Sequence, residues 1–103
     1  MQKTFRTLTL AVNFYRVAQA QQLPGYMKNQ LLRASSSIAL NLSEGNAKFD
    51  IKDRRRFFRI AYASLKECQT IAELHNLKTL RSESDSLGAH LYKLCKALDA
   101  AAG

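Results

Sequence analysis

Apolar residues recur every three or four positions along almost the whole 103-residue chain, and only three short stretches interrupt this spacing. The interruptions are Pro24-Gly25, Gly45-Asn46 and the polar run of residues 81–86. A spacing of three to four places apolar side chains on one face of an α-helix. The pattern therefore predicts four amphipathic helices, at about residues 4–22, 26–44, 50–77 and 84–100.

Short connections between long helices make each helix an antiparallel neighbour of the next. We therefore predict an all-α fold, an up-down antiparallel four-helix bundle that forms a single domain over residues 1–103. A looser three-helix core with a mobile fourth helix is the alternative. Gly45 is placed to end the second helix as its C′ residue, and Asp50 is placed to cap the third helix.

The first two helices distribute their apolar residues differently. In the first helix the main apolar stripe is predicted to consist of Phe5, Leu8, Val12 and Tyr15, with Ala11 and Ala18 at its edge. Leu10 and Phe14 lie off that stripe and form a second, smaller apolar patch. The second helix is apolar nearly all round, which indicates burial on more than one side.

The two cysteines, Cys68 and Cys95, are far apart in the sequence, and both fall on apolar helix faces. His75 and His90 stand at separations from these cysteines that are unusual for a metal site. We expect buried free thiols rather than a disulfide. The sequence predicts no metal ion and no cofactor.

No uncharged stretch of the chain is long enough to cross a bilayer, so no membrane span is predicted. A possible cleavage pattern occurs at Ala18-Gln19-Ala20, but Asn13 and Arg16 interrupt the apolar run in front of it. A secretory signal would need that run to be continuous. We therefore expect a cytoplasmic protein.

Positive charge dominates the chain and is concentrated in one segment. The sequence has 16 Lys and Arg against 8 Asp and Glu, which gives a formal net charge of +8. Within residues 48–59 the only acids are Asp50 and Asp53, and the basic residues are Lys48, Lys52, Arg54, Arg55, Arg56 and Arg59. Such an excess is typical of proteins that bind nucleic acid or another polyanion. The alternative is a solvated face that keeps the protein soluble.

At about 100° per residue, five basic side chains of the third helix share one sector about 100° wide, opposite its apolar row. We call this set the basic stripe: Lys52, Arg55, Arg56, Arg59 and Lys66. It is about 21 Å long, so it can face several phosphates of a duplex. Tyr62 borders the stripe, where it either stacks on a base or packs. Arginines in the first turns of a helix oppose its macrodipole, so helix stability does not explain them.

The candidate nucleic-acid-binding residues are therefore Lys48, Lys52, Arg54, Arg55, Arg56, Arg59, Tyr62 and Lys66. Nothing in this pattern reads base sequence, so we expect weakly specific binding that weakens with salt. Binding to a membrane surface is not predicted, because no large apolar face remains beside the stripe.

Polar residues border the apolar stripes of the second and third helices, and together they form a candidate polar network: Gln30, Arg33, Ser37, Asn41, Glu44, Ser64 and Glu67. A buried arginine needs an acid, so we expect Arg33 to pair with Glu67 or Glu44. The network either fixes helix register, contacts a partner, or forms a catalytic site. Ser37 and Ser64 lack a candidate base, and no Glu-x-x-His pair for a di-iron site occurs. We therefore expect no enzyme activity and no catalytic residues.

Two segments resemble the motifs of a known family. The first resembles Q-L-x-R-A-x-x-S-I-x-x-N-I-A-E-G, through Gln30, Leu31, Arg33, Ala34, Ser37, Ile38, Asn41, Glu44 and Gly45. The second resembles F-x-x-I-A-x-G-S-x-x-E, through Phe57, Ile60, Ala61, Ser64 and Glu67. Departures from the usual Ile, Ala and Gly occur at Leu42, Ser43 and Ala63. The chain thereby resembles the four-helix-bundle proteins encoded by intervening sequences in bacterial 23S ribosomal RNA genes.

The resemblance implies a bundle that assembles into a homo-oligomeric ring, usually a pentamer, and it implies no enzymatic activity. The family is similar to the accessory variability determinants of diversity-generating retroelements, which are basic rings that bind nucleic acid and a reverse transcriptase. We expect Leu10 and Phe14 to supply part of the interface between subunits.

These observations support two hypotheses about function. The first is a non-catalytic accessory protein that binds RNA or DNA without sequence preference through the basic stripe. The alternative is a protein–protein adaptor or scaffold for a reverse transcriptase or another ribonucleoprotein, in which the stripe meets an acidic partner.

Overall fold

The structure, a computed structural model, describes residues 2–102, with side chains described for residues 4–101. This part of the chain forms four α-helices and no strand: α1 (Gln2–Gln19), α2 (Gly25–Asn46), α3 (Ile51–Leu74) and α4 (Lys78–Ala102). Each helix packs against the next, and α1 also packs against α4, so the bundle closes. It measures 41 × 20 × 19 Å. The predicted up-down four-helix bundle is confirmed.

Every helix contributes to one continuous apolar core. From α2, the side chains of Met27, Leu32 and Ala39 pack against this core at its edges, in agreement with the predicted burial of α2 on more than one side. Leu40, in contrast, is 68% exposed. The buried core consists of Ala11, Phe14, Ala18, Leu31, Ala34, Ile38, Leu42, Phe58, Ala61, Leu65, Cys68, Ile71, Ala72, Leu80, Leu87, Leu91, Leu94 and Cys95.

Both cysteines belong to the core and carry free thiols, as predicted. Burial raises the pKa of the Cys68 thiol to about 12, with a further contribution from the negative charge of Glu67. Burial also raises the pKa of the Cys95 thiol, and the carboxylate of Asp99 adds to this effect. Since the thiolate is the reactive form of cysteine, both side chains act as apolar packing groups at neutral pH.

The core face of α1 differs from the predicted stripe. Phe14 is 1% exposed and Ala11 is fully buried, whereas Phe5 is 72% exposed. Leu10 packs against the core as well. The expectation that Phe14 supplies part of a subunit interface is therefore wrong, because its ring is buried in the core. For Leu10, which is half-buried, the expectation stays a prediction. Small side chains at positions 11 and 18 let the neighbouring helices approach, and the Phe14 ring fills the space between them.

The connection between α3 and α4 comes earlier than predicted. α3 ends at Leu74, and Asn76 has a φ of 53°, in the left-handed region. The N–H of Leu77 donates to the carbonyl of Ala72 at 2.9 Å, and the N–H of Asn76 donates to the carbonyl of Glu73 at 3.4 Å. This pair of bonds is a Schellman motif, which satisfies the last carbonyls of the helix. Asparagine tolerates the left-handed conformation, so the turn forms without a glycine.

The polar run of residues 81–86, predicted to be a break, lies inside α4, which begins at Lys78. Leu80 and Leu87 are buried on either side of the run, and Ser84 is fully buried between them. The Ser84 hydroxyl donates to a backbone carbonyl of the preceding turn at 2.8 Å. Its hydrogen bond is therefore satisfied inside the bundle, and the serine takes an apolar position of the helical pattern.

α2 and α3 lie close together at Gly45. This residue is buried, and α2 continues through it to Asn46, so Gly45 is not the predicted C′ residue. A Cβ atom at position 45 would lie 2.8 Å from two ring carbons of Phe58 and 3.0 Å from the Cβ of Phe57. Glycine is required here because only the missing side chain leaves room for the Phe58 ring.

The Gly45→Ala variant should destabilise the bundle by about 1–3 kcal/mol, because the added methyl group forces the Phe58 ring out of its place in the packed core. A loss of stability would be informative, because helix propensity alone would make the alanine variant more stable by about 1 kcal/mol. Gly25→Ala is the matched control, because a Cβ there would meet nothing within 4 Å. Urea unfolding followed by circular dichroism measures both variants. Equal stability of Gly45→Ala and the parent protein would contradict this packing.

Candidate nucleic-acid interface

The basic stripe begins at the first turn of α3. Asp50 caps this helix as predicted, because its carboxylate accepts a hydrogen bond from the backbone N–H of Lys52 at 3.3 Å. The first turns then place four of the five stripe residues around an open depression of about 370 Å³. Its lining consists of Lys52, Arg55, Arg56, Arg59, Ile60 and Ala63. The fifth residue, Lys66, is exposed two turns after Arg59.

One carboxylate of α4 lies beside the stripe. Arg59 Nη2 is 2.7 Å from Asp99 Oδ1, and Arg55 Nη1 is 3.9 Å from the same oxygen. A single negative charge shared by two guanidinium groups leaves the local charge positive. The pairing directs both arginines toward α4, and it leaves the Arg59 side chain 57% exposed. The sequence did not predict this contact, because Asp99 is 40 residues from Arg59.

The remaining stripe residues make no ion pair with any side chain described for residues 4–101. Lys52, Arg56 and Lys66 are all exposed. The guanidinium carbon of Arg56 lies 5.1 Å from the ring centroid of Phe57, a cation–π contact that leaves its N–H groups available. These three cations are therefore free to meet an anion.

Two candidate residues from the sequence, Lys48 and Arg54, lie apart from the stripe. Lys48 Nζ is 3.2 Å from Glu44 Oε2. Arg54 is half-buried, and its Nη2 donates to the backbone carbonyl of Lys48 at 2.9 Å. The Arg54 Nε is buried without a hydrogen-bond partner among the described residues. Both side chains thus hold the connection between α2 and α3.

Tyr62, the aromatic candidate, faces α4, where it meets a second tyrosine. The ring centroids of Tyr62 and Tyr92 are 6.3 Å apart, and the ring planes are inclined by 51°. Lys66 Nζ lies 5.1 Å from the Tyr62 centroid, and Lys96 Nζ lies 5.9 Å from the Tyr92 centroid. The sequence analysis missed Tyr92 and Lys96. The spacing of four and then three residues from Tyr92 to Lys96 to Asp99 places these three residues on one side of α4.

A second, smaller basic groove lies between α1 and α4. Its volume is about 180 Å³, and its lining consists of Arg6, Thr7, His90, Lys93 and Leu94. His90 Nδ1 is 2.9 Å from the carbonyl oxygen of Ser86. A carbonyl only accepts, so Nδ1 is the donor and Nε2 is the ring nitrogen left for other contacts. Sequence reasoning missed this groove, because the fold joins segments more than 80 residues apart.

The candidate polar network is smaller than predicted. The hydroxyl oxygens of Ser37 and Ser64 are 2.9 Å apart, and this bond joins α2 to α3. Asn41 Nδ2 donates to the Ser37 carbonyl at 2.8 Å and to its hydroxyl at 3.0 Å. The four other members are exposed and lie outside this cluster: Gln30, Arg33, Glu44 and Glu67.

The predicted pairing of Arg33 with Glu67 or Glu44 is wrong. Glu44 pairs with Lys48 instead, and no carboxylate of residues 4–101 lies within ion-pair distance of Arg33. The reason is its position on α2. Arg33 is seven residues from the exposed residues Tyr26 and Leu40, so it lies on the solvent side, where an arginine needs no acid.

The chemistry of the described side chains favours anion binding. No three His, Cys, Asp or Glu residues among positions 4–101 lie close enough together to hold a metal ion. Ser37 contacts Ser64 and Asn41, neither of which is a base. None of the four described helices combines the length and apolar character needed to cross a membrane. The stripe and the groove, in contrast, offer several clustered cations.

The fold and the stripe together define a small, basic, all-α bundle protein. The family model of the 23S rRNA-intervening sequence protein matches residues 2–100, so the chain belongs to this family. The resemblance carried by residues 30–45 and 57–67 is thereby confirmed. Comparison with curated proteins and with solved structures gives no significant match.

Proposed function

We propose that this protein is a non-catalytic accessory protein that binds RNA or DNA without sequence preference through the basic stripe. The observation that carries the proposal is the clustering of Lys52, Arg55, Arg56 and Arg59 around one depression. Asp99 is the one carboxylate in ion-pair contact with them among the described side chains. Phosphate groups spaced along a nucleic acid match such a row of cations, and counterion release drives their binding.

Weak specificity follows from the kind of side chains in the stripe. Lys52, Arg56 and Lys66 are long, exposed and without ion-pair partners among residues 4–101, so they adapt to phosphates instead of fixing a hydrogen-bond pattern against base edges. The absence of catalysis is part of the proposal. Incubation of the pure protein with labelled RNA tests it, and cleavage that co-purifies with the protein would contradict it.

We further propose that the bundle assembles into a homo-oligomeric ring. Several large apolar side chains are exposed, among them Phe5 of α1, Leu40 of α2 and Phe49 between α2 and α3. Exposed apolar side chains of this size are suited to contacts between subunits. A ring repeats the stripe around its circumference and thereby raises avidity for a long polyanion without new contacts.

Replacing three stripe arginines by glutamine, Arg55→Gln, Arg56→Gln and Arg59→Gln together, should weaken binding to a labelled duplex by at least about tenfold at low salt. The slope of log K against log salt should fall by up to about three, because up to three phosphate contacts are lost. Fluorescence anisotropy during a salt titration measures both quantities, and circular dichroism checks the helicity.

The matched control changes Arg16, Arg33 and Lys78 to glutamine, which removes the same charge from exposed residues outside the stripe. It should bind almost as tightly as the parent protein. Equal losses in the two variants would mean that net charge alone drives binding. A protein partner that stays bound after nuclease treatment would instead favour the adaptor hypothesis.

Asp99→Asn should strengthen nucleic-acid binding by about two- to fivefold, because it frees Arg55 and Arg59 from their shared carboxylate. Asp85→Asn removes the same charge from an exposed position about 21 Å away along α4, so it is the matched control. Anisotropy at fixed salt compares the two variants. If Asp99→Asn gains no more affinity than Asp85→Asn, these arginines do not contact the ligand.

The ring predicts a particle mass well above that of one chain. Five subunits of 11.6 kDa would give about 58 kDa. Light scattering coupled to size-exclusion chromatography measures the mass over a range of protein concentrations. A mass of 11.6 kDa at every concentration would contradict assembly.

A further inference from the structure

An exposed aromatic side chain stands beside the basic stripe. Tyr92 is 52% exposed on α4, and its inner side packs toward Tyr62 of α3. The tilted contact between the two rings limits the orientations that Tyr92 can adopt. A large flat side chain that is held by a neighbour and still exposed is suited to stacking on a planar ligand.

Two lysines flank the pair of tyrosines. Lys66 lies over the Tyr62 ring and Lys96 lies over the Tyr92 ring, at 5.1 Å and 5.9 Å from the respective centroids. Both lysines are exposed. A cation–π contact at an exposed site is weak, so either ammonium group can leave the ring for a phosphate oxygen. The ring face is then free for a base.

The tyrosine pair lies beside the stripe, with Tyr62 between Arg59 and Lys66 on α3. Tyr62 follows Arg59 by three residues on α3, and Tyr92 precedes Asp99 by seven residues on α4. Because Asp99 bonds to Arg59 across the same pair of helices, the rings lie about 5–10 Å from this contact along the helix axes. One strand can therefore place its phosphates on the stripe and a base on Tyr92.

We propose that Tyr92 is a stacking platform for an unpaired base, so that the protein prefers single-stranded RNA or DNA to duplex. Bases inside a duplex are stacked on each other and their faces are inaccessible, whereas every unpaired base offers a face. Tyr62 positions Tyr92 through the contact between their rings. Tyr92 accepts any base, because every base has a flat face. The inference rests on the proposed function, since the stripe supplies the phosphate contacts.

Two labelled strands of equal length separate stacking from charge. One carries bases and the other has the same backbone with abasic sites. By fluorescence anisotropy at fixed salt, the parent protein should bind the strand with bases at least about fivefold more tightly. Tyr92→Leu should abolish this difference without weakening binding to the abasic strand, and Tyr92→Phe should keep it, because phenylalanine retains the ring.

Tyr26→Leu is the matched control, because Tyr26 is 68% exposed on α2 away from the stripe; it should keep the preference. The chain has four Tyr and no Trp, so tyrosine fluorescence gives a second measurement. The strand with bases should quench it, and the abasic strand should not. Equal binding of both strands by the parent protein would overturn the stacking platform and leave the proposed function intact. No binding of either strand at low salt would overturn both.

Discussion

The packing of Phe58 against Gly45 is the contact on which the surface of α3 depends. It brings α2 and α3 close together at the end of the bundle where the stripe begins, and the buried Phe58 ring marks the side of α3 that faces the core there. With Phe58, Ala61 and Leu65 buried, helical geometry places the stripe residues on the opposite side of α3, from which Arg55 and Arg59 also reach Asp99 of α4. The apolar core thus determines where the positive charge is displayed.

The start of α3 is electrostatically unfavourable for a helix. Positive side chains in the first turns oppose the macrodipole, and only the cap at Asp50 and the nearby Asp53 have the favourable sign. Asp99 offsets part of the repulsion between Arg55 and Arg59 from across the bundle. Such an arrangement weakens the helix locally, and the tight core beneath it supplies the stability that the surface does not.

The number of helices, their order and the outward direction of the stripe could be predicted, because each depends on spacing within one helix. The centre of the core face of α1 could not be predicted. Ala11 and Ala18 were expected only at the edge of the apolar stripe, and they lie at the centre of the core face because their small side chains leave space for neighbouring helices. The end of α3 at Leu74 could not be predicted either, because the left-handed residue of the turn is Asn76 and no glycine or proline marks it in the sequence. The contacts of Asp99 and the pairing of Tyr62 with Tyr92 join different helices, and a pattern within one helix carries no information about them.

The groove between α1 and α4 has a consequence for the order in which the surface matures during synthesis. A chain emerges from the ribosome N-terminus first, and the hydrogen bonds of a helix join residues of one segment, so two neighbouring helices can contact each other once both have emerged. The cations of the stripe all lie on α3, so the hairpin of α2 and α3 already displays them, and only the pairing of Arg55 and Arg59 with Asp99 needs α4. Arg6 and Lys93, in contrast, come together only when α4 docks on α1. A nascent chain therefore carries the basic stripe before it carries the groove between α1 and α4.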